Sequence, residues 1–326
     1  MVKFLIIRFS SIGDIVLTSP VVRILKNQVD GAKVHFLTKP QYASLVENNP
    51  NIDKIHVLKP KLNDTITELR NEFFDYIIDL HNNIRTYRIK SALKIVDFSF
   101  NKLNKEKWIY VNFKKNRLPD IHIVDRYLET IKLFDTKNDN KGLDFFIPEK
   151  DTIDISKFNF KENKFVAFVI GAKHFTKQMP QHKVIDLCNK IALPIVLLGG
   201  KEDAEKGKII KQASNSVIYN FCGEFNINQS ASIIKQASFV ISHDTGLMHI
   251  AAAFKKDIIS IWGNTVPEFG MYPYLAGEKS KIFEVKNLKC RPCSKIGFSK
   301  CPKKHFKCMN DISNNEILDY INKNFK

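Results

Sequence analysis

Residues 239–263, FVISHDTGLMHIAAAFKKDIISIWG, constrain the fold more than any other part of the chain. The apolar run Phe239, Val240, Ile241 ends at Ser242, and His243, Asp244, Thr245 and Gly246 crowd the turn that follows. Residues 247–254 are rich in helix formers, and 258–262 form a second apolar run closed by Gly263. Strand, polar turn, helix, strand is a βαβ unit with its polar residues at the carboxyl end of a strand. In open α/β sheets that is where ligands bind. Thr245 and Gly246 place backbone N–H groups at a helix start, a position suited to phosphate.

The same alternation runs through the chain. The pattern predicts strands over 3–8, 34–37, 55–58 and 76–80, with helices over 14–28, 64–71, 86–95 and 121–134. Such a series argues for a parallel sheet with helices on both faces. Polar, charged stretches at 135–142 and 148–160 place a domain linker there. A second series begins with a strand over 165–170 and a helix after Pro180. It continues with strand 195–198, helix 204–213, strand 217–219 and helix 229–236, and the opening segment closes it. The tail over 314–324 reads as a helix, with Ser313 as N-cap and Glu316 three residues on. The expected architecture is α/β, two Rossmann-like domains facing each other across a cleft, with the boundary at 155/156. A chain of 326 residues exceeds the size at which single cores usually split.

Hydrophobic residues make up 44 %, enough for a packed globular protein. No run of about 18 apolar residues is present to form a transmembrane helix. The start, MVKFLIIRFSSIGD, is interrupted by Arg8 too soon for a signal peptide and reads as a first buried strand, so the expected location is cytoplasmic. The net charge is +17. That excess points either to acidic partners (nucleic acid, an anionic membrane surface, phosphorylated substrates) or to a lysine-rich composition on solvated faces.

Four turns carry candidate chemistry. The first, Arg8 to Asp14, lacks both G-x-G-x-x-G and G-K-[ST], so it holds neither a dinucleotide fingerprint nor a P-loop. Ser11 and Asp14 either cap the following helix, or Asp14 is a carboxylate placed to take a proton. The second turn, 169–180, brings Lys173 and Lys177 before Pro180, which suits the first helical position. A lysine there either neutralises a diphosphate or is solvated. In the third, Gly199 and Gly200 let backbone approach a ligand, and Glu202 or Asp203 either accepts ribose hydroxyls or caps a helix. The fourth is the Asp244 turn already described.

Together these turns resemble glycosyltransferase family 9, the ADP-heptose:lipopolysaccharide heptosyltransferases. The matching pieces are R-F-S-S-I-G-D-I-V-L-T-S-P from Arg8, D-L-H-N-N-I-R from Asp79, G-A-x-x-x-x-K-x-x-P from Gly171, L-L-G-G from Leu197 and S-H-D-T-G-L-M-H-I-A-A-A from Ser242. They follow one another in the family's order across nearly the whole chain. The resemblance implies a GT-B fold, with acceptor bound by the N-terminal domain and sugar nucleotide by the C-terminal one. It implies inverting transfer with no catalytic metal. Carried over, Asp14 is the general base, with Ser11, Gly13, His81 and Arg85 on the acceptor side. Lys177 binds the diphosphate, and Gly199, Gly200 and Glu202 belong to the donor site. Asp244 contacts donor sugar hydroxyls, and Thr245 and Gly246 meet the phosphates through backbone N–H. His249 either reaches the phosphates or packs behind them. One position departs from the family: Met179 stands where a Trp is common.

Of six cysteines, Cys188 and Cys222 fall in apolar surroundings and read as core. Cys290, Cys293, Cys301 and Cys308 are spaced C-x2-C-x7-C-x6-C in a lysine-rich segment. In a cytoplasmic protein this spacing points to structural zinc or reduced thiols before disulfides.

The expected partners are an ADP-sugar as donor substrate and an anionic lipopolysaccharide core acceptor of the Kdo-lipid A type. Arg85, Arg88 and Lys90 would suit peripheral docking at the cytoplasmic surface of the inner membrane. The rival is a basic, non-catalytic nucleic-acid-binding protein with a Cys-cluster metal site. It lacks a helix-turn-helix, an RNP motif and C2H2 spacing, and it leaves the Asp14 and Asp244 turns without a task.

Overall fold

The computed structural model describes residues 1–158 and 164–325. Asn159 and Phe160, the end of the expected linker, lie outside the described residues. The chain divides into two compact units, Met1–Lys102 with Ile121–Phe146, and Leu103–Asp120 with Ile147–Lys326.

The first unit is built on five parallel strands, β1 (Val2–Ile7), β2 (Ala32–Thr38), β3 (Lys54–Val57), β4 (Tyr76–Asp79) and β5 (Val96–Ser99). Their order is β3-β2-β1-β4-β5. The chain winds outwards from β1 in one direction and then, at β4, in the other, so the β1/β4 boundary is the switch point of the sheet. Ile7 stands opposite Asp79, which aligns the carboxyl ends of these two strands. β1 reads as a continuous apolar run because both its faces are covered: Phe4, Leu5, Ile6 and Ile7 are all fully buried.

The second unit repeats the plan with six parallel strands. They are β6 (Val166–Val169), β7 (Ile195–Leu198), β8 (Ile218–Asn220), β9 (Phe239–His243), β10 (Ile258–Trp262) and β11 (Lys281–Glu284). The order β11-β10-β9-β6-β7-β8 puts the switch point between β6 and β9, where Val169 stands opposite Ser242. The helix Gly246–Ala253 between β9 and β10 has Leu247 through Ala252 buried; its run of alanines lets it lie close to the sheet. The C-terminal helix Asn314–Asn324 begins as expected, with the Ser313 side chain accepting from the Glu316 N–H at 3.2 Å.

One expected helix is two. The 14–28 segment forms Ile12–Val16 and Ser19–Gln28. The hydroxyls of Thr18 and Ser19 donate back to the carbonyls of Ile15 and Val16, and Pro20 brings no N–H to carry a ladder through. Among the described residues no helix is long and apolar enough to cross a membrane.

Candidate active site

At the first switch point the turn after β1 contains a cis peptide between Ser10 and Ser11 and then enters the helix at Ile12. Asp14 sits in that helix's first turn with both carboxylate oxygens engaged. Oδ2 accepts from the Ser11 N–H at 3.0 Å and the Ser11 hydroxyl at 2.6 Å. Oδ1 meets Arg8 Nη2 at 2.5 Å. The capping geometry and the placed carboxylate are therefore one arrangement. Asp14 keeps a fifth of its side chain exposed, so the engaged carboxylate is still reachable.

Arg8 is the partner that the sequence did not single out. Its guanidinium is 9 % exposed and also donates to the Leu80 carbonyl, to the Tyr127 hydroxyl at 3.0 Å and to the Ser10 carbonyl at 2.8 Å. Burial works against its charge, but Asp14, Tyr127 and Asp79 outweigh burial and raise its pKa. His81 arrives from the turn after β4, where Asp79 Oδ1 accepts the N–H groups of His81 and Asn82 at 3.0 and 2.7 Å. Its ring lies 4.9 Å from that of Phe9. Burial, aided by Arg8 and Lys102, pushes the His81 imidazole down to about 3, so at neutral pH it is uncharged. Gly13 is buried within the Asp14 turn, and Arg85 lies exposed in the first turn of the helix Ile84–Leu93.

At the second switch point the loops after β6 and β9 meet. Lys177 Nζ lies 2.6 Å from Asp244 Oδ2, and the Thr265 hydroxyl donates to the same oxygen at 2.9 Å. Asp244 is 9 % exposed, deep enough that an unpaired charge there would be costly. Thr245 caps the helix Gly246–Ala253 without a side-chain hydrogen bond, so its hydroxyl does not occupy the first-turn N–H groups. His249 is buried one turn into that helix. Met179 fills an almost fully buried position, and its N–H donates to His243 Nε2 at 2.9 Å.

Gly171 and Gly199 crowd against one neighbour, Asp203. The Asp203 carboxylate accepts from the Gly200 N–H at 2.9 Å and is buried. A Cβ on Gly171 would come within 2.0 Å of Asp203 Oδ2, and one on Gly199 within 2.7 Å of Asp203 Cβ. Glu202, by contrast, is exposed. Lys206 reaches in beside them to the Ile170 carbonyl at 3.2 Å and Gln178 Oε1 at 3.1 Å, with its pKa lowered by burial.

Structural zinc at Cys290, Cys293, Cys301 and Cys308 is not supported. Among the described residues, the group of three potential ligand atoms within 4.8 Å of one another is His35, His56 and Glu72, not the cysteines. The Cys293 thiol donates to the Cys290 carbonyl at 2.9 Å, and Cys290 Sγ lies 3.7 Å from His305 Nε2. Cys308 is built into the second unit's core, where burial pushes its thiol up to about 12. A different residue holds this segment to the sheet. Arg291 donates to the carbonyls of Gly263 and Thr265 at 2.5 and 2.7 Å and pairs with Glu284 at 2.7 Å. Cys188 and Cys222 are buried, as expected.

Comparison with known proteins identifies the family and the fold. The model of glycosyltransferase family 9 (heptosyltransferase) matches residues 64–304. Lipopolysaccharide heptosyltransferase 1 of Campylobacter coli is 23 % identical over 293 residues, covering 81 % of this chain and 84 % of its own. The crystal structure of a family 9 glycosyl transferase from Veillonella parvula superimposes with a TM-score of 0.79 at 20 % identity, covering 98 % of this chain and 96 % of its own. The E. coli ADP-heptose lipopolysaccharide heptosyltransferase II superimposes with a TM-score of 0.73 at 19 % identity, covering 98 % of each chain. The fold class is that of these enzymes, GT-B with two Rossmann-like domains.

Proposed function

The chain belongs to glycosyltransferase family 9, and from that premise we propose that it moves a heptose from an ADP-sugar to a lipopolysaccharide inner-core acceptor. The observation that carries this reading is the pair of polar constellations, one at each sheet's switch point: Arg8–Asp14 in the first unit and Lys177–Asp244 in the second. The relatives supply the sugar. Heptosyl transfer is what the named enzymes from C. coli and E. coli do, and ADP-heptose is the donor named for the latter.

In this mechanism Asp14 takes the proton of the acceptor hydroxyl as its oxygen attacks the anomeric carbon, and ADP leaves from the opposite face. The configuration inverts. Arg8 and Ser11 hold the carboxylate in place, and the uncharged His81 lines the acceptor side. Charge develops on the departing diphosphate. Lys177 and the helix start at Thr245–Gly246 are positive where that charge appears, and such pre-placed charge lowers the barrier. Asp244, relieved of Lys177 when the diphosphate binds, is then available to donor sugar hydroxyls. Gly199, Gly200 and Glu202 complete the donor side. The acceptor is lipid-borne, so the enzyme works as a peripheral protein at the cytoplasmic face of the inner membrane.

The test is a screen of ADP-sugars against inner-core acceptor, read by mass spectrometry, with Asp14→Asn beside the native enzyme. The native enzyme should add one heptose. Asp14→Asn should bind ADP as the native enzyme does while transfer falls by roughly 10²–10⁴-fold, the range of general-base contributions. Retained turnover in Asp14→Asn overturns the base assignment; no ADP-sugar binding by the native enzyme overturns the donor reading.

A further inference from the structure

The helix Asn104–Phe113, NKEKWIYVNF, carries five apolar or aromatic residues, and none of its residues is buried. A helix of that composition in a packed domain normally turns an apolar stripe inward. Here one turn is held by its own unit. Lys107 Nζ lies 6.0 Å from the Phe269 ring centroid, and the Tyr110 ring lies 6.1 Å from the same ring. Trp108 and Phe113 pack edge-on against each other at 5.4 Å and remain 57 % and 60 % exposed. Both ends of the helix are tied to the cysteine segment. Lys295 Nζ donates to Asn104 Oδ1 at 3.3 Å, and Lys114 Nζ donates to the Pro292 carbonyl at 2.7 Å. Ile296, next to Lys295, is 59 % exposed.

Charge completes the patch. Residues 102–117 hold six basic side chains, Lys102, Lys105, Lys107, Lys114, Lys115 and Arg117, against Glu106 alone. Aromatic side chains held out to solvent and flanked by lysines are the make-up of a helix that lies in a bilayer interface, with rings at the headgroup boundary and cations on anionic lipid. At ten residues the helix is about half the length needed to span a bilayer.

We propose that this helix, with Trp108 and Phe113 inserted and its basic flanks on headgroup phosphates, docks the enzyme on an anionic phospholipid surface. The proposal deepens the functional reading above, in which the acceptor is lipid-borne, by naming the surface that meets the membrane.

The chain reports on the event itself. It has two tryptophans, and Trp262 is 1 % exposed, so a change in emission on adding lipid belongs to Trp108. Full-length enzyme is mixed with phosphatidylglycerol/phosphatidylethanolamine vesicles or with phosphatidylcholine vesicles, and emission and co-sedimentation are read. The anionic vesicles should shift Trp108 emission to the blue and carry the protein down; the neutral ones should do neither. Trp108→Ser/Phe113→Ser and, separately, Lys105→Glu/Lys115→Glu/Arg117→Glu should each weaken co-sedimentation at least about 10-fold, since each removes one of the two attractions. Both variants should keep native ADP binding and native transfer to a deacylated, soluble acceptor. No emission shift with anionic vesicles, or equal binding to neutral ones, overturns the proposal. So does a double serine variant that alters the sedimenting mass while vesicle binding persists, which would make the patch a contact between two copies. Lost vesicle binding with retained transfer belongs to docking alone, whereas absent transfer with retained vesicle binding belongs to the functional reading alone.

Discussion

A carboxylate as deep as Asp244 has to be paired, and its Oδ2 is shared by Lys177 and Thr265. Removing the cation should therefore act twice. In Lys177→Met the carboxylate keeps only the neutral Thr265 hydroxyl at that oxygen, and stability should fall by about 1–3 kcal/mol, the cost of an under-satisfied buried group. Transfer should fall further, by roughly 10²-fold or more, because the charge that meets the leaving diphosphate is gone. Urea midpoints and turnover measured on the same preparation separate the two. Lys177→Met with native turnover would remove Lys177 from the donor site. Lys177 and Asp244 were both legible in the sequence, since each sits in a polar turn that ends an apolar run. Thr265 and Arg8 were not. Thr265 meets Asp244 because β10 lies beside β9, and strand order is not written in local pattern; Arg8 meets Asp14 because the turn between them folds back, which the residue pattern does not display. Asp203 was half legible: the sequence offered it as a cap or a ribose ligand, and its fit against the empty Cβ positions of Gly171 and Gly199 shows the capping role.

At the scale of elements, the buried strands were readable because both faces are covered and the run is apolar throughout. The edges were not. β5 (Val96–Ser99) and β11 (Lys281–Glu284) bury little and alternate weakly, and the helix Asn104–Phe113 buries nothing. Burial generates the periodicity that a sequence displays, so elements that bury little leave little trace. Capping signals survive because they are local. Ser313 starts the C-terminal helix, whose Ile317, Leu318 and Ile321 are buried in the second core and whose end brings Phe325 to stack 4.3 Å from Phe239. Ser313→Ala removes the acceptor for the Glu316 N–H and should cost about 1 kcal/mol. The measurement is the urea midpoint, with ADP affinity as control. A fall in ADP affinity without a fall in midpoint would mean that the helix start acts on the donor site and not on stability.

For the molecule as a whole, pH is the variable that acts on both units at once, because each contains histidines that fold uncharged. His35 and His81 in the first unit are pushed down to about 4 and about 3, in each case chiefly by burial. His243 in the second is pushed down to about 3 by burial, with Lys206 adding to it. Unfolded, all three titrate near 6.5. The folded state therefore refuses protons that the unfolded state accepts, and stability falls as the pH drops below about 6.5. The loss from His35 is complete near pH 4 and that from the other two near pH 3. Carboxylates held low act later. Asp53, opposed by burial but held down to about 2 by Lys26, Lys33 and the Val34 N–H, gives up its contribution only between about 3.8 and 2. Protonation also adds positive charge to a chain already at +17, so repulsion acts in the same direction. Urea midpoints should be flat from pH 8 to about 7 and decline steadily from about 6.5 to about 5, above the range where carboxylates take up protons. His243→Gln, which keeps an amide acceptor near the Met179 N–H but cannot take up the proton, should be less stable than native at pH 7.5 and decline less steeply. A native midpoint that stays flat down to pH 5 would overturn the assignment of acid sensitivity to these histidines.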